Sequence, residues 1–211
     1  MKLKEKAIFA CDRLEELYPD AICSLVYSKP HELMIAGRLS AQCTDARVNI
    51  VTKELFEKYK TIEDFANADV SDVEEIVKPC GLYKTKAQSI VGMCSRIMEC
   101  YGGEIPQTID ELTTLPGIGR KTANLIMGDV FHKPAIVTDT HCIRICGRIG
   151  LSKSTQPQKV EQELLRIIPP ERSSDFCHRL VLFGRDVCTA RKAHCEKCPI
   201  TEVCKYFKSN I

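Results

Sequence analysis

The chain has 211 residues, enough to bury one good-sized core or two small ones, and its 44% hydrophobic and 27% charged content is that of a soluble globular protein. No apolar run approaches the roughly 20 residues needed to span a bilayer, and Met1–Lys6 leads into no apolar stretch or cleavage site, which excludes a secretory signal and gives a cytoplasmic expectation. The net charge of +2 excludes little, because basic groups can gather on one face; from Arg185 to Lys208 six Lys/Arg stand against three acidic residues.

Helical periodicity runs through almost the whole chain. His31–Gln42 places Leu33, Met34, Ala36, Gly37 and Ala41 near one face, and Thr44 is a good N-cap for a helix carrying Val48, Val51, Leu55 and Phe56. Short helices are expected at Ile62–Asn67 and Asp72–Lys78. A long one follows from Lys84 to Tyr101, stopped by Gly102-Gly103. Further helices are predicted at Thr108–Leu115, Arg120–Phe131, Thr140–Gly147, Gln158–Ile168 and Phe176–Val187. Only Pro134–Val137 reads as extended, and four residues make no sheet. The fold class is all-α.

Thirteen cysteines are the compositional anomaly, and an odd number with no signal peptide argues against a disulfide framework. Nine (Cys11, Cys23, Cys43, Cys80, Cys94, Cys100, Cys142, Cys146, Cys177) lie singly among apolar residues and read as core packing. The other four form Cys188-x6-Cys195-x2-Cys198-x5-Cys204, seventeen residues in which four thiolates can close on one centre with little loop-closure cost. Zinc ribbons carry two close Cys pairs and only one C-x-x-C occurs here, while bacterial ferredoxins crowd their cysteines more tightly.

A second motif is Leu115-Pro116-Gly117-Ile118-Gly119-Arg120-Lys121-Thr122-Ala123-Asn124, in which a helix enters, a Pro-Gly-x-Gly turn follows and a second helix leaves. Glycine lets a ligand approach backbone N–H groups, and at a helix N-terminus these grip a phosphate without reading sequence. The turn alone would equally suit an ordinary αα-hairpin. Lys121 opens the second helix beside Arg120. A lysine at the reference pKa is neutral in only roughly one molecule in 2,500 at pH 7, so a nucleophilic amine needs the helix dipole, a cationic neighbour or desolvation to shed its proton. Asp139 would oppose this as a counter-charge, and it could also be merely the N-cap of the helix from Thr140.

These blocks, together with Leu39-Ser40-Ala41-Gln42-Cys43-Thr44-Asp45, Gly81-Leu82-Tyr83 and Val137-Thr138-Asp139-Thr140-His141, resemble the endonuclease III family from Ile22 onward. The resemblance implies two helical lobes. A six-helix barrel spans 23–133, with the helix-hairpin-helix at 108–128. An iron–sulphur lobe is formed by 1–22 plus 134–211. It also implies a monomeric, prokaryotic, nucleoid-associated enzyme acting on double-stranded DNA with oxidised pyrimidines or abasic sites, without a membrane.

By the same resemblance, Lys121 attacks the sugar C1′ and Asp139 assists, the resulting imine permits β-elimination, and Cys188, Cys195, Cys198 and Cys204 hold a [4Fe–4S] cluster. Gln42 would face the orphan base and Leu82 would act as a wedge. Gly117, Gly119 and Arg120 would contact DNA, as would Arg191 and Lys192, which lie in the cluster loop. Ser40, Asp45 and His141 would line the pocket. Thr113 departs from relatives that carry glutamate there, and Cys43 also departs from the commonest pattern. Adenine-mismatch glycosylases resemble the chain too but lack the lysine. A non-catalytic iron–sulphur DNA-binding module would need no Lys/Asp pair.

Overall fold

Capping residues and apolar stripes set the helices. The computed structural model describes residues 1–209. Helix α1 (Leu3–Leu17) starts where the Glu5 carboxylate accepts the Lys2 N–H at 2.8 Å, and buries Ala7, Ala10, Cys11 and Leu14. Then come α2 (Pro30–Leu39), α3 (Asp45–Lys58), α4 (Ile62–Ala66), α5 (Val70–Val77), α6 (Tyr83–Tyr101), α7 (Ile109–Leu112) and α8 (Arg120–Asp129). The chain finishes with α9 (Thr140–Ile149), α10 (Pro157–Leu165), α11 (Ser173–Asp186) and α12 (Lys205–Ser209). Among the described residues there is no strand, only an isolated antiparallel bridge between Cys188 and Ala193. The expected extended segment, Pro134–Val137, takes part in no ladder.

The chain divides into two compact units. One is continuous, Ser24–Phe131. In it α6 packs against α4, α5 and α2, and α2 in turn packs against α3 and α8. Its core includes Leu33, Met34, Ile35, Val48, Leu55, Phe65, Ile90, Met93 and Ile97, all with no exposed surface. Burial of this kind stabilises by roughly 25 cal/mol per Å² of apolar surface removed from water. Thr44, Thr61 and Thr108 cap α3, α4 and α7 by accepting the N–H groups of Arg47, Asp64 and Glu111.

The other unit joins Met1–Cys23 to His132–Ile211. Here α11 packs on both α1 and α9, and α12 on α9. The α1 seam is polar as well as apolar. Arg172 meets Asp12 at 2.7 Å and Glu15 at 2.6 Å, while buried Arg179 reaches Glu15 at 3.5 Å and donates to the Tyr18 carbonyl at 3.3 Å.

The predicted helices differ from the observed ones by one to three residues at an end, in two cases for identifiable local reasons. The one expected to run to Leu115 ends at Leu112, because the Thr113 and Thr114 hydroxyls turn back on the Asp110 and Glu111 carbonyls at 3.0 and 2.7 Å. The one expected to end at Gly147 runs two residues further, to Ile149, and stops at Gly150 with φ +87°.

Candidate functional site

The Leu115–Lys121 turn is built by two buried residues and two glycines. Leu115 and Ile118 are 2% and 4% exposed, and the Ile118 N–H bonds the Leu115 carbonyl at 3.1 Å. Gly117 has φ +79°, and a Cβ there would lie 2.6 Å from Arg38 Nε and 2.8 Å from Ser89 Cβ. Glycine is therefore required twice over, by backbone and by space. Gly119 is the N-cap of α8 in extended backbone, with no side-chain cap, and a Cβ there would meet nothing within 4 Å. The first N–H groups of α8 thus have an open approach, and its first turn carries no acidic residue to offset the dipole. Lys121 is exposed in that turn, and half-buried Arg120 precedes it. Gly37 admits this element from below: a Cβ on it would lie 2.8 Å from Thr122 Cγ2.

Gln42 and Leu82 occupy the loops after α2 and before α6. Both are exposed and both have left-handed backbone, φ +55° and +48°. Such a conformation costs a side-chain-bearing residue about 1–2 kcal/mol, so both positions are over-determined by their surroundings. Ser40 donates to the Gly37 carbonyl at 2.9 Å, and half-buried Asp45 opens α3. The two loops converge on Lys86. Its side chain is fully buried, and Nζ donates to the Leu39 and Cys80 carbonyls, each at 2.9 Å. Burial holds its pKa below the ordinary lysine value.

In the other unit, Asp139 is the N-cap of α9 and accepts the Cys142 N–H at 2.7 Å. His141, half-buried, has Nδ1 3.2 Å from Arg144 Nη2, against Gly184. Arg144 and Arg148, one turn apart on α9, grip the first cysteine. Arg144 donates to the Cys188 carbonyl at 3.1 Å; Arg148 donates to Cys188 Sγ at 3.4 Å and to the Thr189 and Ala190 carbonyls at 2.7 and 3.1 Å. Sequence reasoning missed both arginines; their i,i+4 spacing opposite Cys142, Ile145, Cys146 and Ile149 was the available signal. Arg191 and Lys192 are exposed on the tight loop closed by the Cys188–Ala193 bridge and by Thr189 Oγ donating to the Lys192 carbonyl at 2.6 Å.

Cys188, Cys195, Cys198 and Cys204 line one cavity of about 370 Å³, open solvent at its mouth included, with Phe183 and Ile200 among its walls. The sulphurs are close enough to act on one another: burial first, then the charges of Cys204, Cys188 and Cys195, push Cys198 up to about 11. His194 also borders the cavity, but its Nδ1 lies 3.3 Å from the Glu196 carboxylate. Among the described residues no three or more His, Cys, Asp or Glu side chains are placed to hold a metal ion. Zinc needs sulphurs drawn in to about 2.3 Å. Four thiolates lining one cavity are a donor set that a single metal ion or a polynuclear iron–sulphur group takes. Of the nine remaining cysteines six are buried as expected, whereas Cys23 and Cys43 are half-buried and Cys100 is exposed.

Lys121, Gln42 and Leu82 thus belong to the continuous unit, and Asp139, His141 and the four cysteines to the other. Among the described residues no helix is long and apolar enough to cross a membrane. A family model described as HhH-GPD superfamily base excision DNA repair protein matches residues 35–170. Endonuclease III of Bacillus subtilis (strain 168) is 44% identical over 198 residues, covering 93% of this chain and 90% of that protein. Endonuclease III of Synechocystis sp. is 43% identical, covering 90% and 88%. A solved structure of a trapped covalent intermediate of an endonuclease III with DNA is 42% identical with a TM-score of 0.92, covering 100% of this chain and 99% of that one.

Proposed function

The chain belongs to the HhH-GPD superfamily of base excision DNA repair proteins and, within it, to the endonuclease III family, and on that premise we propose that it is a bifunctional DNA glycosylase and abasic-site lyase acting on oxidised pyrimidines. The observation that carries the reading is Lys121, exposed in the first turn of a helix whose N-terminus stands open behind Gly117 and Gly119. The N–H groups there hold a DNA phosphate, and the amine is presented beside it.

In its neutral form Lys121 Nζ attacks C1′ of the deoxyribose. The glycosidic C–N bond breaks, and the damaged base leaves with a proton. The sugar opens to an imine on Lys121, loss of a C2′ proton follows, and the 3′ phosphate departs by β-elimination. Asp139 assists by stabilising the charge that develops on the sugar or by moving protons. One of its oxygens already accepts from Cys142 N–H, so the second serves the reaction. Gln42 and Leu82 hold the place of the everted nucleotide; unstacking costs a few kcal/mol, least at damaged pairs. Ser40, Asp45 and His141 shape the pocket.

Cys188, Cys195, Cys198 and Cys204 hold a [4Fe–4S] cluster, which when bound cross-links the C-terminal segment through its iron–thiolate bonds. Its loop presents Arg191 and Lys192 to phosphates.

Borohydride reduction in the presence of abasic-site duplex tests the reading. A covalent protein–DNA adduct is expected from the wild type and none from Lys121→Ala. DNA binding without any adduct would leave a non-catalytic DNA-binding module instead.

A further inference from the structure

One cation in the continuous unit lacks what cations withdrawn from water ordinarily have. Arg172 and Arg179 meet carboxylates, Arg144 and Arg148 donate to carbonyls, and buried Lys86 donates to two. Arg38, half-buried in the last turn of α2, has no ion pair and no side-chain hydrogen bond among the described residues, and its Nε is closed to solvent with nothing to donate to. Burial lowers its pKa, and no carboxylate counters the effect. Withdrawing a charge from water without a partner is costly, and an incoming anion would offset that cost.

Glycine defines where this guanidinium lies. Gly117 is exposed, and a Cβ there would sit 2.6 Å from Arg38 Nε and 2.7 Å from Cδ, so the side chain is laid against the bare backbone of the hairpin turn. Ser89 Cβ is 2.8 Å from the same point, but its hydroxyl is spent on the Thr85 carbonyl at 2.7 Å and not on Arg38. Two residues further on, Gly119 leaves the α8 N-terminus open. A phosphate received there arrives next to a guanidinium, whose planar fork of N–H donors matches two phosphate oxygens at once. A cation in the last turn of α2 also complements the helix dipole, a role that shows as stability and not as affinity.

We propose that Arg38 is a DNA-backbone contact, its guanidinium completing the grip of the Gly117–Gly119 turn on one phosphodiester. The inference rests on the reading of that turn as a phosphate site and is independent of the chemistry at Lys121.

The test measures binding of the holoprotein to a duplex with a non-reactive abasic analogue at several salt concentrations, beside urea unfolding. Arg38→Met should bind about ten- to a hundredfold more weakly. Its plot of log affinity against log salt should be shallower by about one, and its urea midpoint should equal or exceed that of the wild type. Arg38→Lys keeps the charge and loses the fork, so it should hold the wild-type slope and bind several-fold more weakly; it carries the test should the methionine variant not fold. Replacing single phosphates by neutral methylphosphonates locates the contact: at one position the wild type should lose affinity while Arg38→Met loses little more. Affinity of Arg38→Met within about twofold of the wild type, an unchanged salt slope, or a methylphosphonate scan alike in both proteins would overturn the proposal. So would a lowered urea midpoint with unaltered affinity, which assigns Arg38 to the α2 dipole. Failure of the wild type to form a borohydride adduct with abasic DNA, with the binding shifts as expected, would instead count against the enzymatic reading alone.

Discussion

Gly117 and Gly119 are two residues apart in one turn, yet their replacement by alanine should fail in different ways. At Gly117 the methyl group meets two penalties. The backbone at φ +79° costs an alanine about 1–2 kcal/mol. The new Cβ would also lie 2.6 and 2.7 Å from Arg38 Nε and Cδ and 2.8 Å from Ser89 Cβ, an overpacking worth about 1–3 kcal/mol. Gly117→Ala should therefore destabilise the continuous unit by roughly 2–5 kcal/mol. Gly119 sits at φ −93° with open space around it, so Gly119→Ala should cost less than about 1 kcal/mol of stability. Its methyl group, however, stands where a phosphate would approach the α8 N-terminus. Losing one hydrogen bond to a charged group, about 1.5–3 kcal/mol, weakens binding about ten- to a hundredfold. Urea unfolding measures the first quantity; fluorescence anisotropy with duplex carrying a non-reactive abasic analogue measures the second. Wild-type affinity in Gly119→Ala would refute the phosphate site, as would losses of affinity that merely track stability in both variants.

Lys86→Met leaves two buried carbonyls without their charged donor and should cost roughly 2–4 kcal/mol in urea unfolding; a cost below about 1 kcal/mol would show that the ammonium does not staple the loops. His31, buried against Phe65 with Nε2 unpartnered among the described residues, has its pKa held below the ordinary value by burial. The unfolded chain then takes up a proton near pH 6.5 before the folded one does, so stability is lost as pH falls from about 6.5 toward the lower native value. His31→Leu should narrow the difference in stability between neutral and mildly acid pH, and an unaltered difference would rule the histidine out as its source. Arg148→Met removes three donors from the first cysteine loop. Bleaching of the cluster absorption by a chelator should accelerate at least about tenfold, given about 1.5–3 kcal/mol per charged hydrogen bond; bleaching at the wild-type rate would argue that the loop holds without it.

Much of this architecture is written locally. Thr44 caps α3 and Thr108 caps α7 where short-range rules put them, and Gly102 ends α6 in left-handed backbone. The four-cysteine spacing and the Pro-Gly-x-Gly turn likewise need no long-range information to be noticed. What stayed hidden depends on partners distant in sequence. A lysine is expected outside, and only the meeting of the Leu39 and Cys80 carbonyls explains why Lys86 is fully buried. Nothing in the identity of Gln42 or Leu82 announces positive φ, because neither residue type favours it.

The unit assembled from both ends of the chain has a consequence for how the protein is made. Helix α1 leaves the ribosome well ahead of α11, on which it packs and whose Arg179 meets its Glu15, because α1 ends at Leu17 and α11 starts at Ser173. At about 5–20 residues per second the interval between them is roughly ten to thirty seconds. The stretch from Ser24 to Phe131 can finish folding in that time, since its core is drawn from itself alone. Nascent α1 meanwhile carries the apolar row Ala7, Ala10, Cys11 and Leu14 uncovered, a waiting surface that a chaperone could shield until its docking partner emerges.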